Sequence, residues 1–154
     1  MIGAREVAAP TVTDLLRGEH GALYALLDAV GRLLDAGGDP ARARLAGELL
    51  APVLASHAGL EDGLLLEGLD GADPGPLAAM EEEHRGIEEL LELIAREADG
   101  ARARTLVEEL LATAREHFER EEWAAFPYVE SRLEEAALRQ LGARWAERRG
   151  VHLG

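Results

Sequence analysis

The amino-acid sequence predicts an all-α protein: an antiparallel up-down four-helix bundle followed by a short extra C-terminal helix. Ala, Leu, Glu and Arg dominate a chain that is only 4% aromatic, and these residue types lose little rotamer freedom in a helix. No run of alternating β-branched residues reads as a strand. Turn-forming clusters cut the rest into segments of bundle length, each with apolar residues at heptad-like spacing. At 154 residues and 47% hydrophobic, the chain suits one domain over residues 1–154, with the bundle at about 12–130 and the extra helix at about 131–148.

The first helix is expected to begin near Thr13 and to end at the Gly37-Gly38-Asp39-Pro40 break. Its apolar stripe is Leu16, Leu23, Leu27, Val30 and Leu34. Asp39 can cap the second helix, with Pro40 at the first position, where no amide donor is needed. That helix runs towards Leu69 with a kink predicted at Pro52, and its stripe is Leu50, Val53, Leu54 and Leu64. Asp70 to Pro76 is the clearest loop. The third helix, about Leu77 to Ala98, carries Leu77, Met80, Ile87, Leu91 and Ile94 on its inner face. Asp99-Gly100 is a tight break, which implies that the fourth helix packs antiparallel to the third. The fourth runs from about Ala101 to Phe126 with the stripe Leu106, Leu110, Thr113 and Ala124, and Pro127 should kink or end it. Ser131 with Glu134 reads as a capping box for a fifth helix over about Arg132 to Arg148. A frayed tail is expected from Gly150 to Gly154.

Charge and composition exclude several functions. Thirty acidic residues against 16 basic ones give a net charge of −14. Such a surface repels phosphate backbones and anionic lipid, so neither nucleic acid nor membrane is an expected partner. The absence of cysteine removes disulfides, iron–sulfur clusters, thiolate zinc sites and thiol catalysis together. A metal would have to sit on nitrogen and oxygen. No segment reads as a signal peptide or a membrane span, which makes the cytoplasm the expected compartment. Nor is there a glycine-rich phosphate loop, or a Gly-x-Ser-x-Gly nucleophile elbow.

The residues that interrupt the apolar stripes carry the chemistry. His20 lies between Leu16 and Leu23, His57 follows Val53 and Leu54, His84 sits between Met80 and Ile87, and His117 comes four residues after Thr113. Each main helix therefore points one histidine inward. Two helices add a carboxylate one turn later, His57 with Glu61 and His117 with Glu121. Residues four apart share a helical face, their Cβ atoms about 5–6 Å apart, so each pair can reach one ion. A charged glutamate in a seam is costly unless paired or ligated. A single histidine on an apolar stripe is ordinarily a satisfied core residue, and one His-x-x-x-Glu match carries little weight in a chain this rich in glutamate. The joint pattern decides. A lone histidine followed by His-x-x-x-Glu occurs twice, once per helical hairpin, and reads as a dinuclear metal site. A ferritin-like diiron site would need Glu-x-x-His on two helices. Glu81 with His84 fits once, but Leu54 and Ala114 stand at the other two positions.

This arrangement resembles the hemerythrin-like family, the HHE cation-binding domains, over about residues 12 to 130. The motif reads here as His20, His57-x-x-x-Glu61, His84 and His117-x-x-x-Glu121. The flanking Glu19, the run HAGLED from His57 to Asp62, and HFEREEWAAFP from His117 to Pro127 also look like the family. Where oxygen-carrying members have a second histidine one turn after the helix-three histidine, this chain has Glu88. Where they have an aspartate five residues after the helix-four histidine, it has Glu122, with Glu121 one residue earlier. Glu121 is preferred because it repeats the spacing of Glu61.

The resemblance and the hard donor set imply two iron ions, Fe2+ or Fe3+, oxo- or hydroxo-bridged, with manganese or zinc as substitutes. Two octahedral ions offer about twelve positions. Four histidines, two bridging carboxylates and an oxygen bridge leave roughly two for Glu88, Tyr24, water or a substrate. Tyr24 also reads as a core aromatic. Asp62 and Glu122 read as solvent-facing, or as acceptors that orient ligating imidazoles. The expected ligands are dioxygen, peroxide or nitric oxide, with iron storage or sensing a related role. A redox enzyme that decomposes peroxide is the alternative, and a metal-free helical interaction module is the third. The extra helix, with Trp145, would cover the bundle or form a dimer contact, so monomer and dimer both stay open.

Overall fold

A computed structural model describes residues 8–36 and 40–153. Every regular element among them is helical. Helix α1 spans Val12–Asp35, α2 Pro40–Leu69, α3 Leu77–Arg96 and α4 Gly100–Arg120. A π-helical turn, Glu121–Ala125, joins α4 to α5 at Phe126–Arg132, and α6 covers Glu135–Arg149. The four long helices pack side by side as a helical bundle, with α2 against α3 and α4, and α1 against α2, α4 and α6.

Local chemistry sets the boundaries. Helix α1 starts from a reciprocal capping box, in which the Thr11 hydroxyl accepts from the Asp14 amide (3.2 Å) and the Asp14 carboxylate accepts from the Thr11 amide (3.4 Å). The break expected at Gly37 to Asp39, and the Asp39 cap, lie outside the described residues. Helix α2 continues through Pro52, whose ring is exposed. The amide it lacks deprives only the carbonyl of Glu48, itself an exposed residue that water can serve. Asp99 caps α4, its Oδ1 accepting from the Arg102 amide at 3.0 Å.

The largest departure from expectation is at the end of α4. Pro127 does not stop the helix. The Phe126 amide donates to the Glu121 carbonyl five residues back, and helical conformation persists to Arg132. The widened turn inserts one extra residue, which moves the inward positions along by one. Ala124, expected in the seam, is therefore exposed and Ala125 is buried. Further back, the inner face of α4 is Ala103, Val107, Leu110 and Ala114, while Leu106 and Thr113 are only half-buried. Continuation of the helix also absorbs Ser131, whose hydroxyl donates to the Tyr128 carbonyl (2.7 Å) rather than capping. Helix α6 accordingly starts later than predicted, at Glu135, with no side-chain cap on Glu134. It ends at Gly150, whose φ of 64° closes the helix as the Val151 amide reaches the Ala146 carbonyl.

Two apolar clusters fill the interior. One holds Leu23, Leu27, Val30, Leu50, Leu110 and Phe118 with their neighbours. The other holds Leu16, Leu64, Leu77, Phe126, Val129 and Leu141 with theirs. Val53, expected in the seam, is 40% exposed and lines up with exposed Leu45 and Leu49 on the outer face of α2. By length and composition alone, Ala41–Leu69 is apolar enough to cross a membrane, contrary to the expectation that no segment is. In the fold this helix turns Leu50, Leu54, His57, Glu61 and Leu64 into the bundle. Helix α6 lies against α1 and α2 at close range. A Cβ on Gly142 would stand 2.5 Å from the Pro10 carbonyl oxygen, so only glycine permits this approach.

Candidate metal centre

A polar layer separates the two apolar clusters. Each of α1 to α4 contributes one imidazole (His20, His57, His84 and His117), α2 adds Glu61, and the π turn adds Glu121. All six are buried, the most accessible being His84 at 8%. Their neighbours are apolar and aromatic. The Phe118 ring stacks on His20 at 4.5 Å between centroids and meets His57 edge-on, while Phe126 covers His20 on another side at 5.3 Å.

The four Nε2 atoms converge on the two carboxylates. Glu61 Oε1 lies 3.0 Å from His57 Nε2 and 3.3 Å from His20 Nε2, and its Oε2 lies 3.3 Å from His84 Nε2. Glu121 Oε1 lies 2.8 Å from His117 Nε2 and 3.3 Å from His84 Nε2, and its Oε2 lies 3.1 Å from His20 Nε2. Each glutamate thus spans both halves of the layer. The donors form two sets of four, His20, His57, Glu61, Glu121 and His84, His117, Glu61, Glu121, the ligand atoms of each set within 4.8 Å of one another. Although these contacts are short, they are not aligned as hydrogen bonds. Both oxygens of Glu61, both of Glu121, and Nε2 of His84 and His117 are enclosed without a hydrogen-bond partner.

The outward-facing Nδ1 atoms are all paired. His57 donates to Glu19 (2.8 Å), His117 to Glu83 (2.7 Å), His84 to Asp62 (2.9 Å) and His20 to Glu122 (2.9 Å). An Nδ1–H held by a carboxylate fixes the ring's orientation and, when the imidazole is neutral, leaves Nε2 as the lone-pair nitrogen. The pattern is two-fold. Glu19, His20, His57, Glu61 and Asp62 recur as Glu83, His84, His117, Glu121 and Glu122. Carboxylates before the lone histidines serve the partner helix of the same hairpin, and those after the inner glutamates serve the other hairpin.

Without cations, the layer balances its charge with protons. Burial opposes a charged His20, but the carboxylates of Glu121 and Glu61 outweigh it and push its pKa up to about 10. Burial likewise opposes charge on His84, and Asp62, Glu121 and Glu61 push it up to about 11. His57 is raised as well, burial being outweighed by Glu61 and Glu19. Burial alone would raise the Glu61 carboxyl, yet His57, His20 and His84 hold it well below the usual carboxylate range. Glu121 is lowered too, as His117, His20 and His84 overcome burial and repulsion from Glu61.

A family model described as the hemerythrin HHE cation binding domain matches residues 11–144. The chain belongs to this family. No curated protein and no solved structure matches it. A hemerythrin HHE domain binds cations, and the residues present fit that role. Six enclosed polar atoms without hydrogen-bond partners would each cost about 1–3 kcal/mol in an apolar layer. Imidazole and carboxylate are the donors that suit iron, manganese or zinc.

Other residues expected near the cations are placed elsewhere in this HHE domain. Glu88 is exposed at the rim of a cavity of about 250 Å3 between α2 and α3 and is not one of the buried six. Tyr24 is half-buried with its ring edge-on to Phe118, on the apolar side of the layer. Glu122 faces His20 Nδ1 rather than the centre, because the π turn presents Glu121 and Glu122 side by side. Sequence reasoning assigned no role to Glu19 or Glu83. Their signal was the Glu-His dipeptide before each lone histidine, a repeat within the repeat. The cavity beside Glu88 reaches His57, His84 and His117 between walls of Leu54, Ile87 and Phe118.

Proposed function

We propose that this hemerythrin HHE domain holds two iron ions in an up-down antiparallel four-helix bundle. It would bind a small ligand of the dioxygen, peroxide or nitric oxide class there, within the cytoplasm. The observation that carries the reading is the pair of enclosed glutamates, each placed between both histidine pairs with no hydrogen-bond partner on either oxygen. His20 and His57 would hold one ion, His84 and His117 the other, and Glu61 and Glu121 would bridge them. Iron at this layer would supply redox chemistry towards such a ligand. The chain's own contribution is to orient the four imidazoles through Glu122, Glu19, Asp62 and Glu83, and to exclude bulk water with Phe118, Phe126 and Leu54. The cavity of about 250 Å3 is below the roughly 300–1,000 Å3 of ordinary organic-ligand pockets, which favours a ligand of a few atoms.

The test is metal content with an optical spectrum, before and after adding peroxide or azide. Two irons per chain and a ligand-dependent absorption change are expected. A protein purified from iron-replete cells with no iron, and unable to take up Fe2+ anaerobically, would refute the reading. Steady oxygen release from peroxide faster than free iron produces it would assign the site to an enzyme instead.

A further inference from the structure

The two halves of the centre share their chemistry but not the origin of their outermost residue. In the α3–α4 half, Glu83 accepts from His117 through Oε2 and is held through Oε1 by Arg120 Nε at 2.6 Å. Arg120 stands three residues after His117, so that chain of contacts is built within one hairpin. The equivalent position in the α1–α2 half, three residues after His57, is Leu60, which is buried in the apolar cluster. No arginine of that hairpin fills the role. Arg149 fills it from the end of α6, its Nε donating to Oε1 of Glu19 while Oε2 accepts from His57. Its Nη1 also donates to the Ser56 hydroxyl at 2.6 Å.

Arg149 is the better buried of the two, with 25% of its side chain exposed against 53% for Arg120. Its ion pair with Glu19 is correspondingly less screened by water. Its placement is not a chance of surface packing. The close approach of Gly142 to Pro10, and the buried Leu138 and Leu141, fix α6 against α1 and α2, and the Gly150 turn fixes the helix end. Arg149 also lies beyond the residues that match the family model.

We propose that Arg149 is a positioning residue that couples docking of α6 to cation binding in the His20–His57 half. The inference rests on the dinuclear reading above. A cation on His57 Nε2 strengthens the Nδ1–Glu19 contact and with it the Glu19–Arg149 clasp. By reciprocity, releasing the Arg149 clasp on Glu19 weakens that cation first. The α3–α4 half, which carries its own Arg120, is insulated from α6.

The test uses the full chain and Zn2+ as probe, with a chromophoric chelator competing for the metal. Wild type should bind two ions. Arg149→Met should weaken one of them about 10-fold, the low end of the effect of outer-shell partners on metal affinity, and the other less than about 2-fold. Arg149→Lys, which keeps the charge, should recover part of the loss. Arg144→Met removes the closer of the two ion pairs of α6 with Glu67, a tether that leads to no imidazole, and should leave both constants unchanged. Hydrogen exchange on the wild type needs no variant, and Zn2+ should slow exchange in α6. Equal weakening by Arg144→Met, wild-type affinities in Arg149→Met, or α6 exchange indifferent to Zn2+ would each overturn the coupling. A wild type that binds no Zn2+ would overturn the dinuclear reading and the coupling together.

Discussion

Cation binding to this layer should displace protons. Without metal, His20 with a pKa of about 10 and His84 at about 11 both carry two protons at pH 7.5. One proton on each ring faces an outer carboxylate through Nδ1 and stays there. The other sits on Nε2, where a cation would have to bind. Loading two Zn2+ at pH 7.5 should therefore release at least two protons per chain, and more where His57, also raised, contributes. The overall two-ion constant then rises about 100-fold per pH unit, or about 2.7 kcal/mol at 1.36 kcal/mol per proton. Calorimetry at pH 7.5 in buffers of different ionisation enthalpy counts these protons directly. The stability of the metal-free protein follows from the same shifts. A raised histidine pKa contributes stability that is complete below about pH 6.5 and disappears as pH rises through about 10 and 11. The metal-free Tm should therefore fall between pH 7 and 10, a fall that bound Zn2+ removes by keeping the imidazoles neutral. Zn2+ binding with no proton release would refute the reasoning, because it would put the cations somewhere other than the imidazole nitrogens.

Other substitutions separate the six central residues from their surroundings. His57→Ala and His117→Ala should each lower metal content below two ions per chain by elemental analysis. With free Zn2+ at 100 times the dissociation constant, each lost site should also remove about 2.7 kcal/mol of stabilisation, read from urea melts. Glu88→Gln and Tyr24→Phe should leave metal content unchanged, since Glu88 is exposed and Tyr24 packs on Phe118; loss of an ion in either would return that residue to the ligand set. Gly142→Ala forces a Cβ to 2.5 Å from the Pro10 carbonyl and should cost about 1–3 kcal/mol in a denaturant melt, as overpacking does.

The helical class and the six central residues were legible in the sequence because both rest on periodicity. A single histidine at a stripe position of each main helix announces a buried imidazole, and Glu61 and Glu121 repeat at the spacing that shares a face. The stretch after Glu121 was not legible. Pro127 reads locally as a stop, yet the helix can keep going by widening one turn so that Phe126 bonds to Glu121. Whether it does so depends on packing of Ala125, Phe126 and Val129 in the core, which is tertiary information. Once the π turn shifts the register, the Ser131–Glu134 cap and the Ala124 stripe fail together. Glu19, Glu83 and Arg149 were obscured for a different reason. In a chain with 30 acidic residues, the Glu-His dipeptides alone do not single out a partly exposed glutamate until its cross-helix partner is known.

The two-fold donor pattern does not make the two halves equivalent towards an incoming molecule. His20 is enclosed between Phe118 and Phe126 and has no measurable exposure. His84 retains 8% and borders the α2–α3 cavity together with His57 and His117. On the opposite side the α1–α2 groove also reaches His57, but Arg149 and Glu19 stand there as a charged pair. A neutral molecule of a few atoms would have to part that ion pair to enter, whereas the α2–α3 cavity offers Leu54, Ile87 and Phe118. Desolvating an ion pair costs several kcal/mol per charge, and crossing apolar side chains costs such a molecule little. An incoming molecule would accordingly be directed to the α2–α3 cavity, where it reaches His57, His84 and His117, while His20, enclosed by the two phenylalanines, is the imidazole furthest removed from it.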